Sequence, residues 1–524
     1  MNRLQTVFDA VATHARLQPQ KLAVRDSRRS LSYAQLHDRA SRLAQALGDL
    51  GLQKGDRVAL LAYNCAEWME LYAALAGAGL VAVPINFRLT PDEMAYIVHH
   101  SQARCAIVQH TLLAQLEAVR RDLPAVDGRC VVFGGPPPSG WLAYEPLIAQ
   151  AAPLQPPSAV HSHDMSALMY TSGTTGKPKG VIRSHEGSTL IAMATALEMG
   201  FTGEDTGLMV MPMCHANSLY FSHTFVHLGA TCVIDDRASF DPEGLLSTLA
   251  AQRITFTSLV PTHFTMMLAL PIAIKARHDV SRVGKLMISS APARRETKLA
   301  ILDHFRNAQL YELYGSTEAG WVTLLRPHEQ LDKLGSVGRE WAMSGPIKLL
   351  DERGQEVPDG EVGELHSRTA YAFDGYWQNP EKTAEAFRGD WCSVGDLARR
   401  DAQGFIHLVD RKSNMIITGG ENVYPTEVEA VVAAHPDVRD VAVVGLPHEK
   451  WGESVHAVVV LHEGAHTTAD ELLQWCKARI AGYKRPRRLT LVNEADLPRT
   501  ATGKIQHRLL RERLLQTEPA LDCR

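Results

Sequence analysis

The sequence predicts an α/β protein, with a large N-terminal domain of layered α/β subdomains and a small α+β C-terminal domain. Three observations predict it. The chain has 524 residues, too many for one hydrophobic core, so it divides into domains. Up to about residue 410 short apolar runs alternate with amphipathic segments, the signature of strands joined by helices in largely parallel sheets. Beyond that point the pattern changes to a compact mixture of helices and paired strands.

Taken in order, SLSYAQLHDRASRLAQALGDL (30–50) repeats its apolar residues at three and four, as an amphipathic helix does. RVALLAYN, ARCAIVQH, GRCVVFGG, ALMYTS, ATCVIDD, ITFTSLV and KLMISS read as buried strands, too brief for helices and bounded by Gly or polar residues. DPEGLLSTLAAQ (241–252) is a second helical pattern between two of them. GGPPPSG (134–140) and LQPPS (154–158) continue neither a helix nor a central strand and are surface connections. The C-terminal series runs TEVEAVVAAH (helix), VRDVAVVGLP and SVHAVVVLHEG (paired strands), TADELLQWCKARIA (helix), RRLTLVN (strand) and a last helix from about Ile505. The expected division is 1–411, a joint at 412–414, and 415–524, a module of about 110 residues that can fold alone.

Composition narrows the function classes. Apolar residues make up 45% and charged residues 21%, as in soluble globular proteins. A net charge of −4 offers no global basic field, so nothing supports nucleic-acid binding as the main activity. The eight cysteines form no C-x-x-C pair or zinc spacing, which fits a reducing cytoplasmic setting. The N-terminus lacks a signal-peptide core, and no run approaches the roughly 18 apolar residues of a membrane-spanning helix.

The chemistry centres on YTSGTTGKPKG (170–180). Gly173, Gly176 and Gly180 let backbone approach a phosphate, Thr171, Ser172, Thr174 and Thr175 supply hydroxyl donors, and Lys177 and Lys179 supply charge. The spacing differs from the G-x-x-x-x-G-K-[ST] loop: Thr171 stands where the first glycine belongs, and Pro178 leaves no hydroxyl for magnesium. The stretch instead resembles the phosphate loop of the adenylate-forming superfamily, which includes acyl-CoA synthetases, adenylation domains and beetle luciferases.

Further motifs follow in that superfamily's order. Tyr314-Gly315-Ser316-Thr317-Glu318 resembles Y-G-x-T-E, which implies a tyrosine on adenine and a glutamate on magnesium, with Thr174 as a second metal contact. WCSVGD (391–396) resembles W-x-x-T-G-D with Val394 in place of threonine; Asp396 is the implied ribose ligand and Arg411 the second. Ser290-Ala291-Pro292 resembles the segment that packs on adenine, and Glu312 is placed to receive the adenine amino group. PRTATGKI (498–505) resembles P-R-T-x-x-G-K-[IVL] and puts Lys504 on the catalytic lysine. Gly419-Gly420-Glu421-Asn422, with Pro425 and Glu427, resembles the loop that swings in for thioester formation.

The resemblance implies a reaction in two halves: a carboxylate attacks the α-phosphate of ATP, giving an acyl-adenylate and pyrophosphate, and CoA then takes the acyl group, releasing AMP. Charge building on the phosphorus oxygens calls for preorganised donors and cations, so ATP, Mg2+ and CoA are the expected cofactors. Between the halves the family rotates its mobile C-terminal domain about a hinge, which falls here on Ser413. His215 takes the position of the family's histidine or aromatic at the mouth of the acyl pocket, and joins Lys504 and Glu318 as a catalytic candidate. Ala216, Asn217 and Ser218 provide no aspartate for a substrate amine, which argues against an α-amino acid. Tyr220, Phe221, Phe264, Met287, Leu313, Trp321 and Val322 are the expected pocket walls. Leu313 replaces a common glycine and narrows the cavity, favouring a medium-chain, alicyclic or aromatic monocarboxylic acid over a long fatty acid. Two macromolecular partners stay open: a separate acyl carrier protein as the thiol in place of CoA, and a second copy of the chain in a homodimer. A light-emitting oxygenase is disfavoured, since ALDCR is not the peroxisomal S-K-L address.

Overall fold

The computed structural model describes residues 5–117, 120, 123, 126, 128–154, 160–171, 178–289, 293–418, 421–448, 451–477, 479–500 and 503–517. Its contacts divide the chain into two compact units, Met1–Ile347 with Ser367–Val394, and Lys348–His366 with Gly395–Arg524.

The first unit holds two large sheets. One has eight strands in the order Gly375–Tyr376, Lys179–Ser184, Met165–Thr171, Val81–Ile85, Arg57–Leu61, Ala103–Gln109, Cys130–Phe133, Leu142–Ala143. From Met165–Thr171 onward its strands are parallel; the edge beside the phosphate loop is antiparallel. The other sheet has nine strands, with Thr206–Met209, Phe256–Leu259, Lys285–Ser289 and Gln309–Ser316 running parallel through its middle. The fully apolar runs sit in these central positions because both sheet faces are covered. The helix expected over 30–50 begins at Tyr33, where Ser32 and Gln35 form a capping box; Ser30–Ser32 is a short strand. DPEGLLSTLAAQ is the helix Pro242–Ala251.

The second unit holds two sheets. Lys348–Leu350, Val362–His366, Asp396–Arg400 and Ile406–Arg411 form an antiparallel four-stranded sheet. The paired strands expected near the C-terminus are Val438–His448 and Gly452–Leu461, antiparallel, with Arg488–Leu491 added in parallel. The last helix is His507–Thr517. By contacts this unit spans both sides of residue 411, because Val362 pairs with Arg399 and Asp396 with Arg411 in one sheet.

Candidate active site

In the first unit, the strands Met165–Thr171 and Lys179–Ser184 form a hairpin in which Thr171 pairs with Lys179 and Tyr170 with Gly180. The hairpin therefore delivers the two ends of the phosphate loop side by side. Ser172, Gly173, Thr174, Thr175, Gly176 and Lys177 lie outside the described residues, as do Ser290, Ala291, Pro292, Gly419 and Gly420. Two tyrosines brace the hairpin: Tyr170 shares a 2.8 Å hydrogen bond with Nδ1 of His100, and the Tyr96 hydroxyl donates to the Pro178 carbonyl at 3.3 Å.

Tyr314-Gly315-Ser316-Thr317-Glu318 forms the tip of a second hairpin, with Gly315 opposite Trp321 and Ser316 opposite Gly320. A Cβ at position 315 would lie 2.2 Å from the Gly320 carbonyl oxygen, so the turn admits only glycine there. Glu318 is buried, at 6% exposure. Its Oε1 accepts from the Thr171 hydroxyl at 3.2 Å and from the Tyr376 hydroxyl at 3.0 Å. The loop backbone is also held: the Glu318 carbonyl accepts from Phe373 N–H at 2.7 Å and from Arg183 Nη1 at 3.2 Å. The buried Arg183 guanidinium also donates to the Tyr371 carbonyl at 2.7 Å.

A single buried carboxylate with one oxygen already satisfied suits magnesium, which takes one or two carboxylates and keeps water and phosphate oxygens. Among the described residues no group of three His, Cys, Asp or Glu side chains could cage a metal by itself. The donor set thus fits a cation that arrives with a nucleotide.

Glu312 has a partner already. Its carboxylate pairs with Lys298 at 2.6 Å, both side chains being nearly inaccessible. Burial pushes the Glu312 carboxyl up against the opposing pull of Lys298. Tyr314, two residues on, is partly exposed.

His215 caps the helix Ala216–His227, and its buried Nε2 has no partner among the described residues. Desolvation, with Arg88 nearby, lowers the imidazole to about 4, so it is neutral at pH 7. The neighbouring Asn217 amide donates to the hydroxyls of Ser258 at 3.0 Å and Ser289 at 3.1 Å, a bridge across two strand ends that motif reading did not foresee.

The expected acyl-pocket residues separate into groups. Tyr220, Phe221, Met287, Leu313 and Trp321 share one core. Tyr220 meets Trp321 edge-on at 5.5 Å, Phe221 lies 5.5 Å from the same ring, and Trp321 Nε1 donates to Thr195 at 2.9 Å. Phe264 belongs to a different core with Leu286 and Ile288, the residues flanking Met287 on its strand. Side chains alternate faces along a strand, so Phe264 lies across the sheet from Met287. By the same alternation Val322 points away from Trp321.

In the second unit, Asp396 and Arg411 are register partners on adjacent strands, and Arg411 Nε lies 3.1 Å from Asp396 Oδ1. Lys504 stands on a tight loop in which Gly503 adopts φ +81°, Thr500 N–H donates to the Lys504 carbonyl at 2.7 Å, and Lys504 N–H donates to the Thr500 hydroxyl at 3.1 Å. The loop is anchored by Arg499, which donates to the Gly503 carbonyl at 2.8 Å and pairs with Asp440. Desolvation and then Arg411 lower the Lys504 ammonium from the ordinary lysine value, with Asp396 pulling the other way. Three motif residues, separated by up to about a hundred positions, thus share one electrostatic field.

Ser413 is exposed in the turn after Arg411, where among the described residues its hydroxyl reaches only Asn414, at 3.5 Å. Glu421 is exposed on the strand Glu421–Val423, and Glu427 is paired with Lys484.

Sequence reasoning missed Tyr376 and Arg183. Neither lies in a recognisable motif, and each acts on Glu318 across more than fifty residues. The one available signal was the aromatic pair in DGYWQNP, directly before a helix start.

Comparison with known proteins gives the family. The AMP-binding enzyme family model matches residues 11–377, and the AMP-binding enzyme C-terminal domain matches residues 427–504. A feruloyl-CoA synthase of Amycolatopsis sp is 36% identical over 495 residues, 94% of this chain and 95% of the relative. An indoleacetate–CoA ligase of Aromatoleum aromaticum is 34% identical over 496 residues, 94% of this chain and 95% of the relative. The crystal structure of the anthranilate CoA ligase AuaEII in complex with anthranoyl-AMP superposes with a TM-score of 0.88 at 29% identity, covering 98% of both chains. Both parts of the chain are accounted for, and it belongs to the AMP-binding enzyme family, acid–thiol ligases that use ATP, Mg2+ and CoA and work through an acyl-adenylate.

Proposed function

We propose that the protein converts a compact aromatic monocarboxylic acid to its CoA thioester, releasing AMP and pyrophosphate. The observation that carries the first half-reaction is the Thr171–Glu318 hydrogen bond. It brings the base of the phosphate loop within reach of the Glu318 carboxylate, which would hold a magnesium ion that neutralises charge on the nucleotide. Magnesium held at Glu318, with Thr174, supplies charge neutralisation on the phosphates. Residues 172–177 cover the β and γ groups, and Lys179 adds positive charge at the loop's exit. Tyr314 with Ser290, Ala291 and Pro292 sandwiches adenine, and Glu312 borders it. Asp396 accepts from the ribose hydroxyls and Arg411 steadies Asp396. Lys504 donates to the substrate carboxylate and α-phosphate as negative charge develops there.

For the second half-reaction, the domain 415–524 turns about the joint 412–414 and brings Gly419, Gly420 and Glu421 towards the thiol. Ser413 suits the hinge because, among the described residues, its side chain bonds only its neighbour.

The substrate class rests on packing. Trp321, tied to Thr195 and flanked by Tyr220 and Phe221, fills core space that a long aliphatic tail would need. Relatives named for ferulate, indoleacetate and anthranilate point the same way. A neutral His215 at the pocket mouth leaves the acid's carboxylate to pair with Lys504. All seven described cysteines are free and buried, which supports a reducing, cytoplasmic compartment.

The test is AMP release from Mg-ATP across a panel of aromatic, alicyclic and aliphatic acids, with and without CoA, with products identified by mass. Acyl-CoA from aromatic acids is the expected result. Adenylate formation indifferent to CoA would transfer the proposal to a carrier-protein thiol, and a preference for long aliphatic acids would overturn the substrate class.

A further inference from the structure

Tyr376 stands outside every motif that marks the site, yet it touches two of them. The short strand Gly375–Tyr376 pairs with Lys179–Ser184 so that Tyr376 lies opposite Val181, beside the strand that leaves the phosphate loop. Its ring is 5% exposed, and its hydroxyl donates to Oε1 of Glu318 at 3.0 Å. The ammonium of Lys179 sits 3.9 Å from the ring centroid, within cation–π distance. A cation on the ring face withdraws electron density from the phenol and strengthens its O–H as a donor. The position is itself well determined: Tyr376 N–H donates to the Thr383 hydroxyl at 2.9 Å, and its ring packs edge-on against Phe373 at 4.9 Å.

The consequence concerns which oxygen of Glu318 is left over. Tyr376 and Thr171 both donate to Oε1, and no described residue donates to Oε2. A buried carboxylate with one donor removed can rotate about its last torsion, which is broad and two-fold, and so lose its preferred oxygen for a cation. We propose that Tyr376 is a positioning residue for the metal carboxylate: by donating to Oε1 it keeps Oε2 as the oxygen offered to the divalent cation that accompanies ATP. This rests on the reading of Glu318 as the metal ligand.

The test uses the full-length protein and Tyr376→Phe, which keeps the ring, its contact with Lys179 and the Thr171 hydrogen bond, so that the fold is retained. Binding of Mn2+ is followed by electron paramagnetic resonance in the presence of α,β-methylene ATP, which cannot transfer its adenylyl group, alongside the Mg2+ concentration for half-maximal AMP release. Loss of a hydrogen bond to a charged group should raise the half-saturating Mn2+ and Mg2+ concentrations about tenfold, with kcat largely recovered at saturating Mg2+. In a Glu318→Gln background Tyr376→Phe should add nothing, because its action runs through that carboxylate. Unchanged Mn2+ binding in Tyr376→Phe, or an equal further loss on top of Glu318→Gln, overturns the inference. The arms separate the two levels: Glu318→Gln with intact Mn2+ binding removes the metal role of Glu318 itself, whereas a strong effect of Glu318→Gln with none from Tyr376→Phe removes only the role of Tyr376.

Discussion

The loop around Glu318 and the loop around Lys504 each present one charged side chain, proposed above to meet the nucleotide, and they are built in opposite ways. The Glu318 loop is over-determined. Its carboxylate takes two side-chain donors, its backbone carbonyl takes Phe373 N–H and Arg183, and it is buried in a unit whose sheets are closed on both faces. The Lys504 loop is held by its own backbone and by Arg499. The turn at Ser413, in the same unit, has a side chain bonded, among the described residues, only to Asn414. The difference teaches that Glu318 is fixed by contacts from other elements of its unit, while Lys504 is presented on a local scaffold, an arrangement the proposed reaction in two halves would use. An enzyme with two half-reactions needs one of each.

The largest effect should come from Lys504→Ala. It is expected to slow adenylation by about 10² to 10³, in line with loss of a single preorganised donor at about 3–4 kcal/mol, while acyl transfer from supplied acyl-adenylate stays near normal. Rapid-quench assays of the separate halves decide this, and equal losses in both would break the contrast. Next is Arg183→Met, which strips charged donors from the carbonyls of Glu318 and Tyr371. It should destabilise the first unit by about 2–4 kcal/mol, seen as earlier unfolding by hydrogen exchange in Met165–Ser184 and Gln309–Leu325, with the second unit unaffected. Ser413→Pro restricts φ in the turn and should slow one half-reaction about tenfold, on the order of 1.4 kcal/mol, with no loss of stability. A uniform slowing of both halves would remove Ser413 from the hinge.

The smallest effect is one of pH, and the two units should show it with opposite sign. In the first unit His185 and His223 line a small enclosed cavity, where desolvation lowers them to about 4 and about 3. Their folded pKa values lie below the unfolded value, so the unfolded state binds more protons between roughly pH 3 and 6.5, and stability falls as pH falls through that window. In the second unit desolvation pulls His507 down, but Glu429 at 2.7 Å prevails and raises it. Its contribution is complete below the unfolded value and is lost as pH rises through the raised folded one. Hydrogen exchange at pH 5 and pH 8 should therefore show the first unit loosened by acid, with His223→Phe reducing that loss. His507→Gln should remove any gain of the second unit at pH 5. The same sign in both units would refute the assignment.

Much of the site was legible from short stretches. Phosphate cradles, the Gly315 turn and the Lys504 loop depend on contiguous residues whose backbone needs are local, so their wording survives in sequence. The pocket list was less secure. Phe264 and Met287 read alike as apolar residues near strand ends, but Met287 faces one core and Phe264 joins the other. Glu312 read as an adenine contact, and its carboxylate is tied to Lys298. Tyr376 had no wording to betray it.

The sequence by itself determined the fold class and the order of the motifs, and it nominated Thr171, Glu318, Asp396, Arg411 and Lys504 as candidates. The fold class follows from periodicity and the candidates from short motifs that resemble the family's, both of which are written over a few residues. The tertiary structure alone decided that Thr171, Tyr376 and Lys179 gather around Glu318, that Asp396 lies against Arg411, and that Lys348–His366 joins the second unit. Each of these depends on strand order and register, and a shift of one residue would turn every such side chain to the other face of its sheet.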